Sequence, residues 1–189
     1  MTLPLTKNIR YIQGQLHIEA CDVESIATEI TTPFYCYSQA QLLSNVHQCQ
    51  TAFKPYGIDI HYAMKANSNL TILRLIADQG IGVDLVSSGE LLRAQAAGIS
   101  EELMIFSGVG KTANEITLAI NAGVGQFNVE SAEELELLAT LATQYSRPVN
   151  VALRVNPDVA VDTHKNITTG RKGNKFGIMI EQILSLYQY

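Results

Sequence analysis

Several things this chain lacks narrow its possible functions. It has no basic excess: 13 Lys and Arg stand against 18 Asp and Glu, a formal net charge of −5. Too little positive charge is present to neutralise a run of phosphates, which argues against nucleic-acid binding. No stretch approaches the roughly 18 consecutive apolar residues of a membrane span, and the mean hydropathy is only +0.09. The opening MTLPLTKNIRYIQG lacks an apolar core of signal-peptide length, so we expect a cytoplasmic protein with no membrane partner. The three cysteines, Cys21, Cys36 and Cys49, form no C-x-x-C pair. We expect them to be buried or semi-buried free thiols in a reducing compartment. The four histidines (His17, His47, His61 and His164) are scattered singly, so no metal site is expected.

What is present is a core and a repeat. Hydrophobic residues make up 47% of the 189 and charged residues 16%, enough to fold as one ordinary domain or as a piece of a larger one. Short apolar runs recur at DIHYAMK (59–65), GVDLVS (82–87), LMIFSG (103–108), QFNVES (126–131) and NVALRVN (150–156). Segments of helical period lie between them. Leu135, Leu138, Ala142 and Tyr145 share one face, as do Leu42, Val46, Cys49 and Phe53. Ser87-x-x-Glu90, Thr112-x-x-Glu115 and Ser131-x-x-Glu134 read as capping boxes, and Gly80, Gly98 and Gly123 as glycine stops.

Strands alternating with helices imply a parallel sheet with right-handed crossovers, covered on both faces. No G-x-G-x-x-G follows the first strand, which weakens a dinucleotide-binding sheet. The fold class is therefore α/β, a parallel (β/α) barrel. Five strands are present where closure needs eight and a barrel usually takes about 250 residues, so we read residues 32–189 as its front part, stopping within a helix. Residues 1–31 stand outside the repeat. Ile9 and Tyr11, then Leu16 and Ile18, alternate about Gly14 and predict a hairpin-like element.

In such barrels the chemistry sits at the C-terminal ends of the strands. Those ends carry Lys65 and Asn67, Asp84 with Ser87, Ser107 with Lys111, Glu130, and Arg154 with Asn156 and Asp158. Alternation groups His61, Ala63 and Lys65 on one face and Tyr62 and Met64 on the other. If the latter pair packs on helices, Lys65 points into the barrel mouth, where burial would make its amine available to form a Schiff base with an aldehyde. A lysine that merely snorkels from a strand end is the competing reading. Asp84, on the inner face of the next strand, could orient Lys65 or share its proton, or form only a structural ion pair. Glu90 is explained by capping Ser87. Arg154 shares the inner face with Ala152, and a buried arginine needs an anion from the protein or from a ligand. The polar segment 158–177, with His164, Lys165, Arg171, Lys172 and Lys175, reads equally as a basic patch for an acidic or phosphorylated small molecule and as a solvated loop.

The sequence resembles the diaminopimelate decarboxylase family, pyridoxal-phosphate enzymes of fold type III with an alanine-racemase-like barrel. The resemblance runs through TPFYCYS (32–38), HYAMKAN (61–67), GVDLVSSGELLRAQAAGI (82–99), IFSGVGKT (105–112), FNVESAEEL (127–135), RVNPDV (154–159) and THKNITTGRKGNKFGI (163–178), nearly the whole chain in order. Ser88 and Lys165 depart from it, standing where glycine and proline are common. The resemblance implies that Lys65 carries pyridoxal 5'-phosphate covalently at its amine. It places Asp84 close to Lys65, and Glu90 and Arg154 on the cofactor side. It implies conversion of meso-2,6-diaminopimelate to L-lysine, the last step of lysine biosynthesis, in a homodimer whose site spans both subunits. Residues 1–31 would associate with a β domain beyond Tyr189, where the remaining cofactor contacts would also lie. The chain alone is then expected to be inactive and poorly soluble or molten. Three rival readings remain: another basic amino-acid or polyamine-precursor decarboxylase of the superfamily, a non-catalytic pyridoxal-phosphate-binding homologue, and a cofactor-free Schiff-base aldolase.

Overall fold

A computed structural model describes residues 5–157 and 176–188. The chain forms two compact units, Met1–Ile58 and Asp59–Tyr189.

In the first unit, β1 (Ile9–Ile12), β2 (Gln15–Ile18) and β3 (Cys21–Asp22) make an antiparallel sheet in that order. Ile9 pairs with Ile18 and Tyr11 with Leu16, the pairing that the alternation about Gly14 predicts. The connection works because Gln13 and Gly14 both take positive φ, 51° and 86°, and two such residues match the twist of the strands. Helices α1 (Val23–Ile30) and α2 (Gln39–Phe53) follow, capped by Asp22 and Ser38. The Glu19 carboxylate ties the sheet to the start of α2, accepting from Ser38 Oγ at 2.8 Å and from the Ala40 N–H at 2.9 Å. These bonds, the Ala40 N–H foremost, hold its carboxyl below the ordinary 4.5. Among the described residues of this unit no hydrophobic side chain is buried. Cys21, Cys36 and Cys49 are all exposed free thiols. The expectation of buried cysteines fails because neither helix here buries an apolar side chain.

The second unit follows the βα beat. Strands β4 (His61–Ala63), β5 (Gly82–Leu85), β6 (Met104–Phe106), β7 (Gln126–Val129) and β8 (Val151–Leu153) form one parallel sheet in sequence order. Helices α3 (Leu70–Ala77), α4 (Ser88–Ala96), α5 (Ala113–Ala122) and α6 (Ala132–Gln144) fill the gaps. One side chain of every two on the strands points at these helices. Val83, Leu85, Met104, Phe106, Phe127 and Val129 join Leu73, Leu91, Ala94, Ile116, Ile120 and Leu138 in a single buried cluster. Burying each such side chain contributes about 1.5–3 kcal/mol, and this layer is what fixes the sheet. Gly123 ends α5 with φ 88°, a left-handed cap that a side chain would resist.

The last predicted strand is in fact two. At Arg154 the chain leaves β8, and β9 (Val155–Asn156) pairs in parallel with β10 (Ile178–Met179), followed by α7 (Ile180–Leu186). The pairing of β10 went unpredicted because two residues carry too little alternation to register as a strand.

Candidate functional site

The turn after β4 carries Lys65. The strand ends at Ala63, and Met64–Ala66 coil into a 3₁₀ turn. Tyr62 and Met64 do pack into the core layer, Met64 with no exposure at all. The Tyr62 hydroxyl donates to the Asn67 carbonyl at 3.0 Å, and Arg93 Nε of α4 donates to the Ser68 carbonyl at 2.9 Å. The turn is therefore anchored from two sides. Lys65 itself is exposed in the 3₁₀ turn that follows the strand, where a buried amine was expected. Among the described residues Lys65 makes no hydrogen bond or ion pair, so its amine is free to react.

Beside this turn lies a polar ladder. Ala63 pairs with Asp84, and Asp84 in turn with Ile105. The Ser107 hydroxyl donates to Asp84 Oδ1. Asn128 Nδ2 donates to Ser107 Oγ at 2.9 Å, and Gln126 Nε2 to Asn128 Oδ1 at 2.8 Å. Four polar side chains from three adjacent strands are thus joined on the face turned away from the helices. Among the described residues Asp84 has no cationic partner; its side-chain bond is to the Ser107 hydroxyl. Asn128 escaped the sequence reading. The signal was there, because Gln126, Asn128 and Glu130 recur at period two in a strand whose other side chains are apolar.

The remaining strand-end residues are held by the protein. Glu90 Oε2 accepts from the Val86 N–H at 2.7 Å while Ser87 Oγ accepts from the Glu90 N–H at 3.2 Å. The carboxylate thus fastens the turn from β5 into α4, one residue earlier than a capping box requires. The full box occurs at Thr112 and Glu115. Arg154 finds its anion within the protein: its Nη1 donates to Glu130 Oε1 at 2.7 Å, and its guanidinium lies 4.7 Å from the Phe176 ring centre. Its side chain is 42% exposed against 2% for Glu130, so Arg154 is not the buried arginine that was expected. Glu130 Oε2 also accepts from the Gly177 N–H at 3.1 Å, which holds the chain where it enters β10. Lys111 and Glu134 form a buried ion pair of 2.7 Å. Ser131 Oγ accepts from the Glu134 N–H at 3.2 Å, as the pattern predicts, but the Glu134 carboxylate answers Lys111, and burial raises its carboxyl pKa above the ordinary 4.5. His164, Lys165, Arg171, Lys172 and Lys175 lie outside the described residues. Among the described residues no cluster of His, Cys, Asp and Glu could hold a metal ion, and no helix is long and apolar enough to cross a membrane.

This is a site suited to an aldehyde cofactor. Among the described residues it offers an unbonded amine on an anchored turn and, one strand over, a carboxylate bonded by a hydroxyl. Comparison with known proteins agrees. Residues 39–188 match the family described as pyridoxal-dependent decarboxylase, pyridoxal binding domain. The diaminopimelate decarboxylase of Zymomonas mobilis is 43% identical over 93% of this chain and 42% of its own length. That of Neisseria meningitidis serogroup A is 44% identical over 92% of the chain and 43% of its own. Among solved structures, the M. jannaschii diaminopimelate decarboxylase in complex with L-lysine superposes with a TM-score of 0.87 at 36% identity, over 96% of this chain and 44% of that one. The chain therefore spans less than half the length of the relatives it matches.

Proposed function

The chain belongs to the pyridoxal-dependent decarboxylases, matching their pyridoxal-binding domain, and on that premise we propose that it supplies the Lys65 side of a site that decarboxylates meso-2,6-diaminopimelate to L-lysine. What carries this reading is a free amine at the family's barrel-strand end, in a chain whose relatives at 43% and 44% identity bear that activity in their names. Lys65 is the residue that would hold pyridoxal 5'-phosphate, through Nζ. When bound, the cofactor's ring supplies a sink for the electron pair left as carbon dioxide departs.

The chain's own residues do the rest. The anchored 64–69 turn sets where Lys65 Nζ sits, so the cofactor meets a fixed attachment point. Asp84, held by the Ser107 hydroxyl on the strand beside Ala63, is the carboxylate that would orient Lys65 or share its proton in the assembled site. The Lys65 amine, on its anchored turn, would be placed to hand a proton to the substrate carbon. Glu90 and Arg154 act at one remove: Glu90 by fixing the turn out of β5, and Arg154, through Glu130, by fixing the ends of β7 and β8. A second copy of the chain completes the site in a homodimer, and the enzyme works in the cytoplasm. Identity of this order, spread over more than nine-tenths of the chain, favours the diaminopimelate substrate over another basic amino acid.

The test is borohydride reduction of the full-length protein after incubation with pyridoxal phosphate, followed by peptide mapping. We expect a pyridoxyl group on Lys65. A folded protein with no adduct there overturns the reading.

A further inference from the structure

Lys111 lies in the loop after β6, is buried, and belongs to no reacting group. Its ammonium has three acceptors: the Gly108 carbonyl at 2.8 Å, the Asn128 carbonyl at 2.8 Å and Glu134 Oε1 at 2.7 Å. The choice of carbonyls is informative. Gly108 is the residue after Ser107, and Asn128 is the residue whose side chain reaches Ser107 Oγ. One cation therefore grips the backbone beside both residues that meet at the Ser107 hydroxyl, and that hydroxyl is the partner of Asp84. Ser107 is tied to β5 by its N–H, which donates to the Leu85 carbonyl at 2.8 Å, and beyond it the chain runs through two glycines. Gly108 and Gly110 take positive φ, 97° and 69°, and no helix begins until Ala113. Glu134 fixes the cation from α6, whose core face is buried through Leu138. The pair thus relays the position of a well-packed helix to a glycine-rich loop.

We infer that Lys111, held by Glu134, is a positioning residue for the cofactor site: it sets Ser107 and Asn128 so that they fix the Asp84 carboxylate beside the Lys65 turn. The inference rests on the cofactor reading given above. Lys111 does not touch the reacting atoms in this scheme, because its three N–H groups are already committed to acceptors.

Replacing both members of a buried pair with apolar residues of similar size leaves no uncompensated charge and is often neutral for folding. The test therefore uses Lys111→Met/Glu134→Leu in the full-length apoprotein, with Ser107→Ala and the triple variant. The affinity for pyridoxal phosphate is read by fluorescence titration, and thermal unfolding confirms the fold. We expect the double variant to unfold like the parent yet bind the cofactor about tenfold more weakly, with Ser107→Ala weakened to a similar degree. The triple variant should be within about twofold of Ser107→Ala, because residues acting through one contact do not add. Affinity within about twofold of the parent in the folded double variant overturns the inference, and so do effects that multiply in the triple, since a merely structural role would add independently. Failure of the unsubstituted protein to bind pyridoxal phosphate overturns the cofactor reading itself and this inference with it, and that result is told apart by appearing before any substitution is made.

Discussion

Two lysines follow strands of the same sheet, and their surroundings make them opposites. Lys65 leaves β4 on a turn clamped by Met64, the Tyr62 hydroxyl and Arg93, yet its own amine is exposed and unbonded among the described residues. Lys111 follows β6 on a loop rich in glycine, and there the lysine does the clamping through three acceptors. At one end a rigid turn presents a free amine; at the other a committed amine makes a loose turn rigid. Residue type and strand-end position are shared, so neither distinguishes a reactive lysine from a structural one. The acceptors around the nitrogen do.

The contrast can be broken most severely at Lys65. Lys65→Ala in the full-length protein should lower decarboxylation by at least about 1000-fold, the scale on which loss of a covalent group acts, while urea unfolding of the apoprotein stays close to the parent because an exposed, unbonded side chain has been removed. Comparable loss of stability would mean that Lys65 is structural. Lys111→Ala should do the reverse at the level of folding. Leaving Glu134 buried without its cation should cost about 3–5 kcal/mol in urea unfolding at neutral pH.

That second loss carries a pH signature. Burial already raises the Glu134 carboxyl above its ordinary 4.5, and Lys111 pulls it back down. A raised carboxyl favours the fold where it is protonated and disfavours it as the pH rises through its folded value. The Lys111→Ala defect should therefore shrink toward pH 4.5 and deepen toward pH 7. A defect that does not vary with pH would show that Glu134 is not left charged in the interior.

Gly108→Ala sharpens the comparison from the loop side. At φ 97° an added Cβ is strained and would lie 3.3 Å from Val86 Cβ, so a destabilisation of about 1–2 kcal/mol is expected. The same substitution at Gly89, where the nearest atom to an added Cβ is 3.9 Å away and φ is not positive, should be neutral or better. A smaller loss than at Gly108 lies at the cap that ends this loop. Thr112→Ala should cost about 1 kcal/mol. The Glu115 carboxyl is held below 4.5, chiefly by the Thr112 N–H, so its contribution is present above that pH and lost as the pH falls through the lowered value. Glu115→Gln should accordingly differ from the parent at pH 7 and converge with it in acid, measured by thermal unfolding.

Much of this was legible in the sequence because it is local. The hairpin about Gly14, the strands at the five apolar runs and the start of α5 at Thr112 each follow from neighbours within a few positions. The site was legible only as a set of strand ends. Lys65, Asp84, Glu90 and Arg154 sit where the repeat puts them, but what each one touches does not follow from spacing. Ser131-x-x-Glu134 has the same pattern as Thr112-x-x-Glu115, and only the latter closes its box. Glu134 turns instead to a lysine 23 positions away.

The order of strands and helices, the side of each strand that faces the helices and the placing of lysines at strand ends were thus determined by the sequence itself, through periodicity, caps and glycine stops. Tertiary structure alone decided that Lys65 stands free among the described residues while Lys111 is bound, that Arg154 answers Glu130, and that β9 finds its partner in Ile178–Met179. The physical reason is range. Secondary structure is encoded in side chains that meet along one element, whereas the partner of a charge is chosen by strands and helices that come together from 23 or 24 residues apart.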